Sequence, residues 1–106
     1  MARLLPRVKS PKAASAAACE RLEQLPNIGP AMATDLELIG IHAPEQLIGR
    51  DAFELYRALC ERTGVRQDPC VIDVFLSVVD FMGGGEPQPW WAFTRERKRR
   101  MAAGAV

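Results

Sequence analysis

The side chains of this sequence best suited to chemistry are few and scattered. Cys19, Cys60 and Cys70 form an odd set with no C-x-x-C pair, and His42 is the single histidine. A disulfide framework or a histidine-rich metal centre needs more ligands at closer spacing. Cys70 stands in the first turn of an expected helix, where the dipole favours a thiolate. With no second His or neighbouring Cys to assist it, Cys70 reads as a buried inert thiol, and Cys19 and Cys60 as small core residues. His42 has no Ser or Cys beside it in a nucleophile and base pattern, so it reads as a turn residue or cap. Asp73 and Asp80 are two turns apart on one helical face and lack a nearby partner carboxylate. Gly83-Gly84-Gly85 lacks the Lys-Ser/Thr of a phosphate loop and reads as a helix terminator. No catalytic residue, metal ligand or cofactor is assigned, and the chain is expected not to be an enzyme.

The charge pattern is more informative. Fourteen Lys and Arg against thirteen Asp and Glu give a net +1 over 106 residues, with 48% apolar and 25% charged side chains. Those figures describe one soluble globular domain and exclude a multidomain enzyme. Residues 1–12 carry Arg3, Arg7, Lys9 and Lys12 without an acid. Residues 94–106 carry Arg95, Arg97, Lys98, Arg99 and Arg100 against Glu96 alone. The middle is acidic, so two basic ends flank an acidic body. The expected division is a disordered basic arm over 1–12, a domain over 13–93 and a flexible basic tail over 94–106. Pro6, Lys9, Pro11 and Lys12 interrupt any leader-like apolar run, and no segment is long enough to span a membrane. A reducing cytoplasm is the simplest setting for unpaired thiols.

The elements that position these groups follow from apolar spacing. An Ala-rich segment from Ala13 to Leu25 places Ala18, Cys19, Leu22 and Leu25 on one helical face. Pro30 opens a second helix, with Met32, Ala33, Leu36 and Ile39 on its buried side and Gly40 as its stop. Pro44 opens a third of about one turn. Asp51, with Glu54 at capping-box spacing, begins a fourth that ends at Gly64. Asp68 and Pro69 begin a fifth, Cys70 to Met82, rich enough in Val, Ile and Phe to suggest a strand. Its polar residues Asp73, Ser77 and Asp80 recur at helical spacing, so it is expected as the central helix with that stripe facing water. The fold class is therefore all-α, a compact five-helix domain. Trp90, Trp91 and Phe93 are expected to dock on the core, or to present an aromatic surface to a base or a partner.

Between the first two helices, Leu25-Pro26-Asn27-Ile28-Gly29-Pro30-Ala31-Met32-Ala33 resembles the helix-hairpin-helix motif. In such a hairpin glycines permit the tight turn, the central Ile plugs the helices together, and free N–H groups at the second helix meet a phosphate. Further blocks extend the likeness: Asp35-Leu36 with Gly40-Ile41, Gln46-Leu47, Leu55-Tyr56, Asp68-Pro69-Cys70-Val71 to Val74-Phe75, and Pro89-Trp90-Trp91. Together, over roughly residues 20–98, they resemble the pathogenicity-locus helix-hairpin-helix family, also labelled mitomycin-resistance-protein-like. The resemblance implies a small bacterial protein and an association with DNA. Two matched positions depart from the hairpin pattern. Asn27 stands where Gly is usual, a substitution that the left-handed tolerance of Asn permits. Ala31 stands where a basic residue is common, and residues 22–49 contain no Lys or Arg.

The expected partner is DNA, held without reading its sequence by hairpin groups at Asn27, Ile28, Gly29 and Ala31 and by Arg95, Arg97, Lys98, Arg99 and Arg100. The alternative is a protein-interaction module that uses Trp90 and Trp91 with a hairpin that binds no phosphate. A third reading, drug binding, follows only from the family's resistance label and requires an apolar pocket. Oligomeric state is not encoded in any of these features.

Overall fold

The apolar stripes of residues 52–63 and 70–82 become two packed helices that frame the molecule. The computed structural model describes residues 11–105, and these contain four α-helices and no strand: α1 Pro30–Leu38, α2 Ala52–Thr63, α3 Cys70–Met82 and α4 Thr94–Ala102. Short 3₁₀ turns at Ala16–Ala18, Leu22–Gln24, Pro44–Leu47 and Trp90–Phe93 link and flank them. The Asp51 carboxylate accepts from Phe53 N at 3.0 Å to start α2, and Gly64 ends it in the left-handed conformation, φ 75°. Glu54 does not complete a capping box; it pairs with Arg50 at 3.4 Å. At the start of α3 the Asp68 side chain accepts from Cys70 N at 2.8 Å, and this bond holds its carboxyl below the usual carboxylate range.

α3 is the central element. Its Ile72, Phe75, Val78 and Phe81 are fully buried against Phe53, Leu55, Tyr56 and Leu59 of α2, with Leu25, Ile28, Leu36, Ile41 and Leu47 closing the remaining sides. The Tyr56 hydroxyl donates to Gln67 O, which gives the large ring a polar anchor where the chain turns from α2 into α3.

Three expectations are corrected. Residues 13–25 do not form an α-helix; they make two 3₁₀ turns joined through extended backbone at Cys19 and Arg21. The buried residues there, Cys19, Leu22 and Leu25, lie three apart, which suits a three-residue turn. Ala14, Ala17 and Ala18 are exposed, so alanine propensity acts without an apolar face to reinforce it. The Gln24 side chain then accepts from the N–H groups of Glu20 and Arg21, both at 2.8 Å, and stabilises the break. The segment after Pro44 is likewise a 3₁₀ turn, so the expected helix count of five becomes four, one of them α4.

The second correction concerns the polar stripe of α3. Asp80 is exposed, but Asp73 and Ser77 are buried at 0% and 2% exposure. The cause lies in the third correction: the basic run is not a flexible tail but α4, which with the Trp90–Phe93 turn packs over α3. Asp73 accepts from Arg97 Nε at 2.8 Å and from Thr94 Oγ1 at 2.6 Å. Ser77 donates to Val74 O at 2.6 Å and accepts from Asn27 Nδ2 at 2.9 Å. The stripe is thus a polar seam between elements, with every buried side-chain N and O among the described residues hydrogen-bonded.

Of the expected basic arm, residues 1–10 lie outside the described residues. Lys12 is anchored: its ammonium donates to the carbonyls of Glu23, Leu25 and Ile28 at 3.0, 2.9 and 2.7 Å. One cation therefore gathers three carbonyl dipoles of the turn between Leu22–Gln24 and α1. Lys12→Met, which keeps the aliphatic stem, is expected to cost about 1 kcal/mol and lower Tm by several degrees. Thermal unfolding followed by circular dichroism checks this, and an unchanged Tm would contradict it.

Candidate functional site

The residues expected to form a hairpin, Asn27, Ile28, Gly29 and Ala31, divide between packing and surface. Ile28 is fully buried and plugs the turn into the core. Asn27 takes the left-handed conformation at φ 67°, the only described non-glycine residue to do so. Its side chain bonds Ser77 Oγ at 2.9 Å and Gln88 O at 2.8 Å, tying the turn to α3 and to the segment leading into Trp90. Asn27→Ala loses both bonds and forces an alanine into left-handed backbone, an expected cost of about 2 kcal/mol. Asn27→Gly removes the backbone strain and should cost less. Urea unfolding of the two variants measures the difference; equal losses would show that φ is not what matters there.

Gly29 has extended backbone, φ −98°, and a Cβ added there would meet no atom within 4 Å, so its outer side is open. Ala31 is exposed. No side chain caps the first turn of α1, and Ala33 N is the first to bond back, to Gly29 O at 3.0 Å. The N–H groups of Ala31 and Met32 therefore lie outside the helical ladder, where the helix dipole is positive. Preceding them is a three-residue 3₁₀ turn, where the sequence leads one to expect a full helix.

The five bases of the C-terminal run also divide. Arg97, whose side chain is 12% exposed, is committed to Asp73, and that hydrogen bond keeps its guanidinium charged beyond the ordinary arginine range. Arg100 lies 4.4 Å from the centre of the Phe53 ring and pairs with Asp51 at 3.3 Å and Glu96 at 3.8 Å. These two hold α4 down. Arg95, Lys98 and Arg99 are exposed, and none pairs with a carboxylate among the described residues. Their i, i+3, i+4 spacing puts them on one face of α4.

Just before α4, Trp90 and Trp91 meet edge to face, 5.5 Å between ring centres at 85°. Trp90 and Phe93 are half-buried, whereas Trp91 is 64% exposed. The turn at Asn27 and this segment are neighbours through α3. Asn27 bonds Ser77, Thr94 and Arg97 bond Asp73, and Asp73 and Ser77 lie one turn apart on the same stripe.

Cys19 and Cys70 sit in environments that disfavour the thiolate. Burial, followed by the Glu45 charge, pushes the Cys19 thiol up, and burial followed by its bond to Asp68 does the same to Cys70. His42 is an exposed turn residue whose N–H donates to the Gln46 side chain at 2.6 Å. No group of three metal-binding side chains occurs among the described residues, and none of their helices is long and apolar enough to cross a membrane.

The model of the Cdd1 family, described as pathogenicity locus, matches residues 15–99, a span that holds the turn at Asn27–Gly29, the core helices, Trp91 and the outward bases of α4. This chain belongs to that family. A relative, the mitomycin resistance protein McrB of Streptomyces lavendulae, is 43% identical over 81 residues, which covers 76% of this chain and 77% of the relative. No solved structure gives a significant match.

Sequence reasoning missed Lys12, Asp73 and Ser77 as positioning residues of this surface. Asp73 carried a signal, one of two carboxylates in a helix otherwise apolar enough to be buried. Lys12 carried none, because its three acceptors are backbone carbonyls with no sequence signature.

Proposed function

We propose that this member of the pathogenicity-locus family is a non-catalytic module that associates with nucleic acid through the phosphate backbone, without reading sequence. Arg95, Lys98 and Arg99 supply the charge, and the open start of α1 at Gly29 and Ala31, positioned by Asn27 and Ile28, supplies backbone donors in the manner of a helix-hairpin-helix. The observation that carries this reading is the division of labour on α4: two arginines are used in folding, and the other three bases share one exposed face free of carboxylate partners. Phosphate contacts of this kind position a protein without specifying a sequence. The three unpaired thiols suit work in a reducing cytoplasm.

Fluorescence anisotropy with labelled duplex and single-stranded oligonucleotides tests the proposal, comparing the full chain with Arg95→Gln/Lys98→Gln/Arg99→Gln. Binding by the full chain that the triple substitution weakens supports it. No binding by the full chain at low salt rejects it and turns attention to a protein partner for α4 and Trp91.

The name of the relative favours a second reading, a part in drug resistance. The feature that bears on it is a depression at the end of α2 lined by Tyr56, Arg57, Cys60, Val65 and Arg66. Equilibrium dialysis of the full chain against mitomycin separates direct drug binding from nucleic-acid association.

A further inference from the structure

Trp91 leaves an aromatic face in water on a domain that otherwise buries its large rings well. Phe53, Phe75, Phe81 and Tyr56 are each no more than 2% exposed, and Trp90 and Phe93 are half-buried, yet Trp91 is 64% exposed. The Trp90–Phe93 turn runs directly into α4, and exposure continues at helical spacing through Arg95, Lys98 and Arg99. This surface therefore carries one exposed aromatic ring followed by three cations over roughly 12–14 Å of chain, at about 2.0 Å per residue in the 3₁₀ turn and 1.5 Å in α4. The one acid within α4, Glu96, is turned to Arg100. A face with this make-up complements a ligand that offers flat apolar rings joined by negative charges.

We infer that the Trp91, Arg95, Lys98 and Arg99 face is a platform for single-stranded nucleic acid, with Trp91 stacking on an unpaired base and the bases of α4 holding the adjoining phosphates. This rests on the phosphate-binding role proposed above and adds the class of strand. A duplex keeps its bases stacked on one another and offers Trp91 no base face, whereas a single strand presents one at every nucleotide. Base stacking on an aromatic side chain tolerates any sequence, which agrees with a site that has no side chain arranged to read base edges. A protein partner would also cover Trp91, but three cations without a carboxylate favour a polyanion over a mixed protein surface.

The test uses the full chain, a labelled oligothymidylate and a duplex of equal length, read by anisotropy and by quenching of tryptophan emission. The single strand should bind more tightly than the duplex. Trp91→Ala should weaken the single strand roughly tenfold or more while leaving the duplex nearly unchanged, and Trp91→Phe should retain most of the affinity. Because Trp91 is exposed and its ring contact is with Trp90 alone among the described rings, the alanine variant should keep the wild-type far-UV circular dichroism, with only a small fall in Tm. Equal affinity for both strands, or an equal loss on both from Trp91→Ala, would overturn the stacking inference and leave the phosphate-binding role standing. Absence of binding to either strand by the full chain would overturn both.

Discussion

Arg97→Met is expected to destabilise the domain by about 3–5 kcal/mol, a large fraction of the roughly 5–15 kcal/mol that holds a small domain folded. The substitution keeps an apolar stem of similar length but strands the Asp73 carboxylate, which is fully buried and has Thr94 as its one other hydrogen-bond partner. Removing both charges together, Asp73→Leu with Arg97→Met, should recover most of the loss, because an apolar pair carries no desolvation penalty. Arg100→Met should cost much less, since Arg100 and its partners Asp51 and Glu96 remain partly in water. Urea unfolding of the four proteins gives the comparison. If Arg97→Met and Arg100→Met lose the same small amount, α4 is not held by a buried ion pair and its outward face is not fixed.

The second large effect falls on binding, with folding left alone. Changing Arg95, Lys98 and Arg99 together to Gln should leave stability within about 0.5 kcal/mol, since all three are exposed and support no other group. Duplex binding at low salt should fall by more than tenfold, because Lys and Arg contacts supply nearly all non-specific affinity. Arg97 and Arg100 variants should show the opposite pattern, a loss of stability that precedes any loss of binding by the folded fraction. A triple variant that unfolds at lower urea but binds normally would reverse this assignment.

That contrast marks the boundary of what the sequence makes legible. Helices α2 and α3 were readable because each has a continuous apolar stripe, a carboxylate at its start and a glycine at its end. Asn27 was readable as a left-handed position because few other residues tolerate that backbone. The Ala13–Leu25 segment misleads because alanine propensity favours a helix, whereas the buried residues Cys19, Leu22 and Leu25 follow a period of three. The polar stripe of α3 misleads for a different reason. A carboxylate on an apolar helix faces water unless a partner covers it, and the partner of Asp73 lies 24 residues away in a run that looks uniformly basic. Nothing in that run distinguishes Arg97 from Arg99. Only the packing of α4 separates the bases that fold the protein from those left to bind.

The salt dependence of duplex binding tests this separation most directly. Three phosphate contacts give a slope of log affinity against log salt near −2.7, about a 40-fold loss between 50 and 200 mM, whereas five contacts would give about −4.5. The account predicts a slope near −2.7 for the full chain and near zero for Arg95→Gln/Lys98→Gln/Arg99→Gln. The same slope in both proteins would contradict it and place the phosphate contacts elsewhere on the molecule.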